Sequence, residues 1–141
     1  MEPIALEYRL DCTPEQAWMT YVDRIGEWWH PDYTAAPDRL AGVTIEHGVG
    51  GRVYASFTDG TDDRWGRVTA WEPGRRLEHS FTLAQDPAHP SQVSVVFEPD
   101  GDGCRMTFEH GGWTDANASS RAKFGDWPLI LDRFVRLAQA G

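Results

Sequence analysis

The chain has 141 residues, of which 40% are hydrophobic and 12% aromatic, so residues 1–141 suffice for one globular domain with its own core but not for two. Thirteen basic against 22 acidic residues give a net charge of -9, which argues against nucleic acid and anionic membrane as partners. Residues 1–7 lack a signal-peptide pattern and no segment resembles a membrane span, so a soluble cytoplasmic protein is expected.

The first part of the chain predicts a strand followed by a helix. Residues 4–10 alternate apolar and polar side chains, the period expected of a strand with one buried face. The sequence Thr-Pro-Glu-Gln at 13–16 forms a capping box, which predicts a helix that begins at Pro14 and ends or breaks at Gly26. Residues 28–31 predict a short second helical turn, because the proline at its end stops propagation. We therefore expect residues 14–30 to be helical.

From residue 43 onwards the pattern is almost entirely β. Six segments rich in β-branched and aromatic residues are separated by Gly, Pro and Asp turn signals. These segments are residues 43–47, 52–58, 64–72, 75–83, 92–98 and 104–110. The turn signals at 59–60, 72–74 and 100–103 predict sequential antiparallel pairing. Residues 85–90 contain two prolines and predict an exposed connection.

The last part of the chain predicts a helix in two pieces. Asp115 is expected to cap a first piece that runs through Phe124. Asp126 is expected to cap a restart with Pro128 in its first turn, which predicts a kink near Gly125. Beyond the kink, a wide apolar stripe at helical spacing must face the sheet. The stripe consists of Trp127, Ile130, Leu131, Phe134, Val135, Leu137 and Ala138.

These residues together resemble the START-like (SRPBCC) superfamily, and within it the family named after the activator of heat-shock protein ninety ATPase. The residues that carry the resemblance are Pro14, Ala17-Trp18, Trp28-Trp29, Val49-Gly50-Gly51, Gly66-Arg67-Val68, Trp71-Glu72-Pro73, Arg76-Leu77, His110-Gly111-Gly112-Trp113, Gly125, Trp127-Pro128 and Leu131. The resemblance implies an α+β helix-grip fold, in which a curved antiparallel sheet of six to seven strands wraps around a long C-terminal helix. It implies fold more than function, because members include ligand carriers, co-chaperones and cyclases.

The two cysteines are expected to lie near each other without forming a disulfide. In the implied sheet the first strand pairs antiparallel with the last, which brings the residues after Leu10 beside the start of the last strand. Cys12 and Cys104 then become neighbours despite their separation in sequence. Two cysteines are too few for a disulfide scaffold, and a reducing compartment keeps them as thiols.

Two histidines and one glutamate are the candidates for catalysis. If the core face of residues 75–83 includes His79 and that of the last strand includes His110, both imidazoles point toward the space under the helix. Together with Glu46, these groups would transfer protons in a cyclase- or hydratase-like reaction. The alternative is that each histidine is a hydrogen-bonded core residue. Because the chain has no Gly-x-Ser-x-Gly nucleophile motif, the sequence favours a noncatalytic protein.

The aromatic residues are more numerous than strand propensity requires. They favour an apolar pocket between the sheet and the C-terminal helix, where a few polar groups orient a small hydrophobic or aromatic ligand. The alternative is that they simply fill the core. The candidate ligand-binding residues are Trp28, Trp29, Tyr54, Phe57, Trp65, His79, Phe81, Phe97, Phe108, His110, Trp113, Phe124, Trp127, Leu131 and Phe134.

No metal site and no cofactor are predicted. The five histidines include no pair at helical ligand spacing, and Asp59, Asp62 and Asp63 fit a solvated hairpin tip better than a calcium loop. The expected partner is a small apolar molecule, with a homodimer left open. A chaperone-interaction module is a further alternative; the resemblance disfavours it, since the eukaryotic co-chaperone usually carries another domain before this one.

Overall fold

Alternating side chains build the sheet, as the sequence predicts. The computed structural model describes residues 2–83 and 85–140. Its seven strands are β1 (Ile4–Leu10), β2 (Leu40–Ile45), β3 (Arg52–Phe57), β4 (Asp62–Glu72), β5 (Arg76–Phe81), β6 (Ser91–Asp100) and β7 (Gly103–Gly111). In β5, for example, Leu77, His79 and Phe81 are buried, whereas the residues between them are partly exposed. The strands therefore present one face to the core.

The strands form one antiparallel sheet in the order β1-β7-β6-β5-β4-β3-β2. Consecutive strands from β2 to β7 pair with each other, so each of these connections is a return and none is a crossover. The predicted turns at Gly60, Gly74 and Gly101 have φ angles of 86°, 78° and 62°, which glycine adopts without steric cost. With a C-terminal helix on one face, this sheet confirms the expected α+β helix-grip fold.

Helices cover the inner face and one end of the sheet. They are α1 (Pro14–Asp23), α2 (Ile25–Trp28) and α3 (Trp127–Ala140), with 3-10 helices at Pro31–Tyr33, Pro37–Arg39 and Ala118–Phe124. α1 begins at the predicted capping box: the backbone N–H of Gln16 donates to the Thr13 hydroxyl at 3.1 Å, and the Thr13 amide donates to the Gln16 side-chain oxygen at 3.1 Å. These bonds satisfy two amides that a helix start otherwise leaves without partners.

The helical segment after α1 differs from the prediction at two positions. The chain leaves helical geometry at Arg24, so Gly26 lies inside α2 and does not end α1. A Cβ at Gly26 would lie 3.3 Å from the carbonyl oxygen of Val43, so this glycine lets α2 pack closely on β2. Trp29 and His30 have extended backbone geometry, so α2 ends at Trp28 and the helical turn predicted over residues 28–31 is wrong beyond that residue. Pro31 instead begins the separate 3-10 helix Pro31–Tyr33, where a first-turn proline sacrifices no hydrogen bond.

The C-terminal region is divided as predicted, but a different residue organises its first part. Asn117 precedes the 3-10 helix Ala118–Phe124, where Asp115 was predicted to act as the cap. The buried Asn117 amide accepts from the Thr114 N–H at 2.7 Å and donates to three backbone carbonyls, at His89, Pro90 and Gly112, each at 3.2 Å. An aspartate cannot make these donations, which is why the asparagine holds the position.

The core lies between α3 and the inner face of the sheet. Of the predicted apolar stripe on α3, the buried residues are Trp127, Ile130, Leu131, Phe134 and Ala138. Phe134 lies edge-on to Tyr21 of α1 at 5.4 Å between ring centroids, and Trp127 lies 4.6 Å from Phe108 of β7. Aromatic pairs at these distances add favourable contacts to the burial of apolar surface. None of the helices in the described ranges is long and apolar enough to cross a membrane.

The predicted pairing of the first and last strands is confirmed. β1 runs antiparallel to β7, with Leu10 opposite Cys104. Cys12 and Cys104 are both buried and both free thiols. Burial, followed by the charge of the nearby Cys12, raises the pKa of Cys104 to about 11. The two thiols therefore interact without a disulfide, and burial keeps them in the unreactive protonated form.

Candidate functional site

An apolar cavity of about 290 Å³ opens at one end of the core, where the segment after α2 meets the end of β5 and the start of α3. Residues from five parts of the chain contribute to its walls. They are Trp29, Asp32, Tyr33, Thr34, Ala35, Asp63, Phe81, Leu83, Phe124, Trp127 and Ile130. The cavity lies between sheet and C-terminal helix, the place that the sequence predicted for a ligand.

The aromatic wall of the cavity is fixed by packing against the core. Trp29 follows α2 and lies 5.8 Å from Trp127, the first residue of α3, between ring centroids. Phe81 is the last inward-facing residue of β5 and lies 5.7 Å from Trp127 and 5.5 Å from Phe124. Behind them, Trp65 lies 4.9 Å from Trp29. The wall is therefore preformed, because each ring is held by others that are themselves buried.

Residues 29–34, the mouth segment of the cavity, are held by three hydrogen bonds. The Tyr33 hydroxyl donates to the Asp126 carboxylate at 2.7 Å, and the Thr34 hydroxyl donates to the Pro31 carbonyl at 2.8 Å. The Trp29 indole N–H donates to the Tyr33 carbonyl at 3.3 Å. Because Asp126 lies directly before α3, the first of these bonds joins the mouth segment to the helix.

A buried hydrogen-bond chain runs behind the aromatic wall. The Trp127 indole N–H donates to Nδ1 of His110 at 2.9 Å. Since an indole is a donor only, Nδ1 carries no proton, and the neutral ring holds its proton on Nε2. Nε2 then donates to the Ser91 hydroxyl at 2.6 Å. The Ser91 hydroxyl in turn donates to the Phe81 carbonyl at 3.2 Å. The side-chain amide of Gln85 also donates to the Ser91 hydroxyl, at 3.0 Å.

This arrangement excludes a nucleophilic serine. A general base must accept the serine proton, but Nε2 of His110 donates to Ser91. The opposite tautomer would place two N–H groups against each other between His110 and Trp127. Burial, with a smaller contribution from the charge of His79, lowers the pKa of His110 to about 3, so the ring stays neutral near pH 7. The Ser91–His110 contact is structural.

His79 occupies a comparable position two strands away. Its Nδ1 donates to the Ser80 carbonyl at 2.8 Å, and burial lowers its pKa to about 4. Val93 lies opposite both His79 in β5 and His110 in β7, so the two imidazoles share a row but are separated by about 10 Å, two strand spacings. Both histidines face the core, as predicted, but neither lines the cavity.

The structure sorts the predicted ligand-binding residues into three groups. Four of them line the cavity: Trp29, Phe81, Phe124 and Trp127. The second group is buried and packs the core or its margin without lining the cavity: Trp28, Phe57, Trp65, His79, Phe97, Phe108, His110, Trp113, Leu131 and Phe134. Thus most of the aromatic residues fill the core, and a few form the cavity wall.

Tyr54 alone forms the third group, and both it and Glu46, a candidate for catalysis, lie away from the cavity. Tyr54 occupies the outer face of β3, where the Arg52 guanidinium lies 4.8 Å above its ring. The carboxylate of Glu46 accepts from the backbone and the guanidinium of Arg52, at 2.8 to 3.1 Å, and these hydrogen bonds lower its pKa to about 2. A carboxylate that is ionised and paired outside the cavity is not a proton donor to a bound ligand there.

Sequence reasoning missed the polar side of the cavity. Residues 32–35 follow a proline in a segment without periodicity, so no pattern indicated which way their side chains point. Asp63 was assigned to a solvated hairpin tip, but β4 begins at Asp62 and Asp63 lines the cavity. Leu83 and Ile130 were placed in apolar segments but not in the site. The turn signal at 59–60 located the hairpin correctly, but β4 begins two residues before the predicted start at residue 64.

One buried polar atom near the cavity has no hydrogen-bond partner among the described residues, the indole N–H of Trp65. Its ring contacts Trp29 and Phe81, both of which line the cavity. Within residues 2–83 and 85–140, no group of three or more His, Cys, Asp or Glu side chains is arranged to hold a metal ion. The cavity therefore presents an aromatic surface and a few side-chain oxygen atoms to a ligand.

Comparison with protein families and solved structures gives a consistent result. The family model described as activator of Hsp90 ATPase homolog 1-like protein matches residues 11–139, nearly the whole chain. No curated protein matches the chain.

Several solved structures share the fold along their full length. A protein from Mesorhizobium loti is 26% identical with a TM-score of 0.69, and the match covers 96% of each chain. An anthrahydroquino-γ-pyrone synthase, solved as a complex, is 26% identical with a TM-score of 0.65, and the match covers 97% of each chain. The solution structure of the Aha1 dimer from Colwellia psychrerythraea is 18% identical with a TM-score of 0.69, covering 100% of this chain and 98% of the other.

Proposed function

This chain belongs to the family of activator of Hsp90 ATPase homolog 1-like proteins, and from that premise we propose that it binds a small hydrophobic or aromatic molecule between its sheet and its C-terminal helix. The observation that carries the proposal is the cavity with an aromatic wall at Trp29, Phe81, Phe124 and Trp127. Its lining is mostly aromatic and aliphatic, with a few polar side chains, the composition common to small-molecule sites.

The cavity volume limits the size of the ligand. At about 290 Å³ it lies at the lower end of the range of ligand sites, which runs from about 300 to 1,000 Å³. The ligand is therefore a compact molecule of one or two rings. The indole rings of Trp29 and Trp127 favour a planar ring system, since stacked and edge-on aromatic contacts add to the gain from apolar burial.

Titration with an apolar naphthalene fluorophore tests the proposal. Substitution of core residues such as Trp127 confounds binding with unfolding, so the variant should fill the cavity mouth instead. Ala35 lines the cavity and is exposed, so Ala35→Phe occludes the mouth without disturbing the core. Ala41→Phe adds the same side chain at an exposed position of β2 away from the cavity.

We expect the wild type and Ala41→Phe to bind the fluorophore alike and Ala35→Phe to bind it at least about tenfold more weakly. Equal binding by all three proteins, or binding by none, contradicts the proposal. Native mass spectrometry of freshly purified protein is an independent measurement, because a copurified ligand adds its mass to the chain and is lost from Ala35→Phe.

A second candidate function is turnover of the bound aromatic ligand, as in a cyclase or hydratase. The observation that favours it is the 26% identity with an anthrahydroquino-γ-pyrone synthase over 97% of both chains. The residues first considered for proton transfer lie outside the cavity, so the carboxylates of Asp32 and Asp63 would have to serve. Incubation of the copurified ligand with wild type and Asp63→Asn, followed by mass analysis, distinguishes turnover from binding.

A further inference from the structure

The polar side chains at the cavity mouth offer hydrogen-bond acceptors. The Tyr33 hydroxyl uses its proton on the Asp126 carboxylate, and the Thr34 hydroxyl uses its proton on the Pro31 carbonyl. Each oxygen therefore presents only lone pairs to a ligand. A ligand that itself carries only acceptors would find no side-chain donor at these two positions.

The charged side chains that line the cavity, among the described residues, have one sign. Asp32 and Asp63 are its two carboxylates, and none of its described lining residues is a lysine, arginine or histidine. The nearby His30 accepts the Asp32 backbone N–H at Nδ1, so this nitrogen carries no proton toward the Asp32 carboxylate 3.9 Å away. The net charge of -9 adds a field of the same sign over the whole surface.

The aromatic wall also favours a positively charged ligand. The face of an indole or phenyl ring carries negative potential, and a cation near it is stabilised by about 0.5 to 2 kcal/mol. Trp29, Phe81 and Trp127 all contribute rings to the cavity, with the carboxylates at its mouth. Ring faces, carboxylates and acceptor oxygens all disfavour an anion and favour a positively charged group.

We propose that the ligand class of this cavity is a cationic aromatic molecule, a small planar ring system that bears a protonated amine. This inference rests on the proposed ligand-binding function and names the chemistry that the cavity selects. The ring system packs against the wall formed by Trp29, Phe81 and Trp127. The ammonium group lies at the mouth, where its N–H groups donate to the carboxylates of Asp32 and Asp63.

Three probes with one ring system and different charges test the inference. They are 2-naphthylmethylamine, which is a cation near pH 7, the neutral 2-naphthalenemethanol and the anionic 2-naphthoate. Binding is followed by isothermal titration calorimetry at low salt. We expect the amine to bind about tenfold more tightly than the alcohol, and the carboxylate to bind most weakly. The preference for the amine should shrink between about 0.01 and 1 M salt, because the screening length falls from about 30 to 3 Å.

Variants that remove one carboxylate charge each test which residues cause the preference for the amine. Asp63→Asn and Asp32→Asn keep the size of each side chain, and we expect each to weaken binding of the amine severalfold while leaving binding of the alcohol unchanged. Asp38→Asn is the matched control, because it removes the same charge from an exposed position outside the cavity lining.

The results separate the inference from the function on which it rests. If the alcohol binds as tightly as the amine, or if the two cavity variants behave like Asp38→Asn, the inference is wrong while ligand binding stands. If none of the three probes binds, the proposed function fails and the inference fails with it. Selective loss of amine binding in Asp63→Asn supports both.

Discussion

Acidification is expected to destabilise the domain through two buried histidines, His79 and His110. Both have an ordinary pKa of 6.5, and burial lowers it to about 4 and about 3 in the folded protein. In the unfolded chain each ring takes up a proton as the pH falls below 6.5, while in the folded protein it stays neutral. The unfolded state therefore binds more protons, and stability is lost as the pH falls from 6.5 toward the folded values.

The size of the destabilisation follows from how far the pH lies below the ordinary pKa of the two histidines. A pH of about 5 is about 1.5 pH units below the ordinary histidine pKa of 6.5 and above the pKa of both histidines in the folded protein. Each pH unit in this interval corresponds to about 1.36 kcal/mol of free energy of unfolding. Each histidine then costs about 2 kcal/mol, so the free energy of unfolding should fall by about 4 kcal/mol between about pH 8 and about pH 5. This is a large part of the 5 to 15 kcal/mol by which domains are typically stable.

Urea unfolding followed by tryptophan fluorescence at a series of pH values measures this dependence. His79→Asn and His110→Asn are the informative variants, since the amide of asparagine can keep the bond to the Ser80 carbonyl in one case and to the Trp127 indole in the other. Each is expected to lower stability at pH 8 and to reduce the loss toward pH 5 by about half. A wild-type stability that is flat over this range, or variant curves parallel to it, would refute the reasoning.

Three further predictions concern backbone packing, capping and thiol reactivity. Gly66→Ala should destabilise the fold by about 2 kcal/mol or more in urea unfolding, because a Cβ there collides with the Ser80 carbonyl oxygen of the neighbouring strand. Thr13→Ala should cost about 1 kcal/mol, because it removes the side-chain cap of α1. The Cys104 thiol should react with a disulfide reagent only slowly in the folded protein and rapidly in urea, because burial raises its pKa to about 11.

Controls make these three outcomes specific. Gly125→Ala adds the same methyl group where no heavy atom lies within 4 Å, so it should be nearly neutral, and equal losses at the two glycines would contradict the packing argument. For the cap, Thr13→Ser should retain most of the stability that Thr13→Ala loses. Rapid thiol labelling without denaturant would show that the β1–β7 edge opens far more often than its pairing implies.

Much of the fold was predictable from the sequence because strands and helices leave a periodic trace. The inward direction of His79 and His110 followed from alternation alone, and the start of α1 from its capping box. The positions of Gly26 and Asn117 were misjudged for one reason. Each is selected by a tertiary contact, with β2 in one case and with three loop carbonyls in the other.

The site was less predictable than the fold. Its aromatic wall could be listed among a dozen similar rings, but the sequence does not tell which rings border empty space and which are covered by other rings. Its polar side comes from residues 32–35 and Asp63, whose direction depends on how an aperiodic segment lies across the end of the sheet. The role of His110 also depended on Trp127, which fixes its tautomer through a contact between distant parts of the chain.

The pairing of β1 with β7 has a consequence for the order of folding. Strands β2 to β7 can assemble successively as each hairpin closes, but β1 has to wait until the last strand has been synthesised. Contacts between distant parts of a chain form slowly, because a long loop must close first. During translation, β1 leaves the ribosome before the other six strands of the sheet and is therefore the last of them to find its partner. A chain that lacks β7 leaves the edges of β1 and β6 unpaired and open to aggregation, so the sheet closes only after synthesis has reached β7.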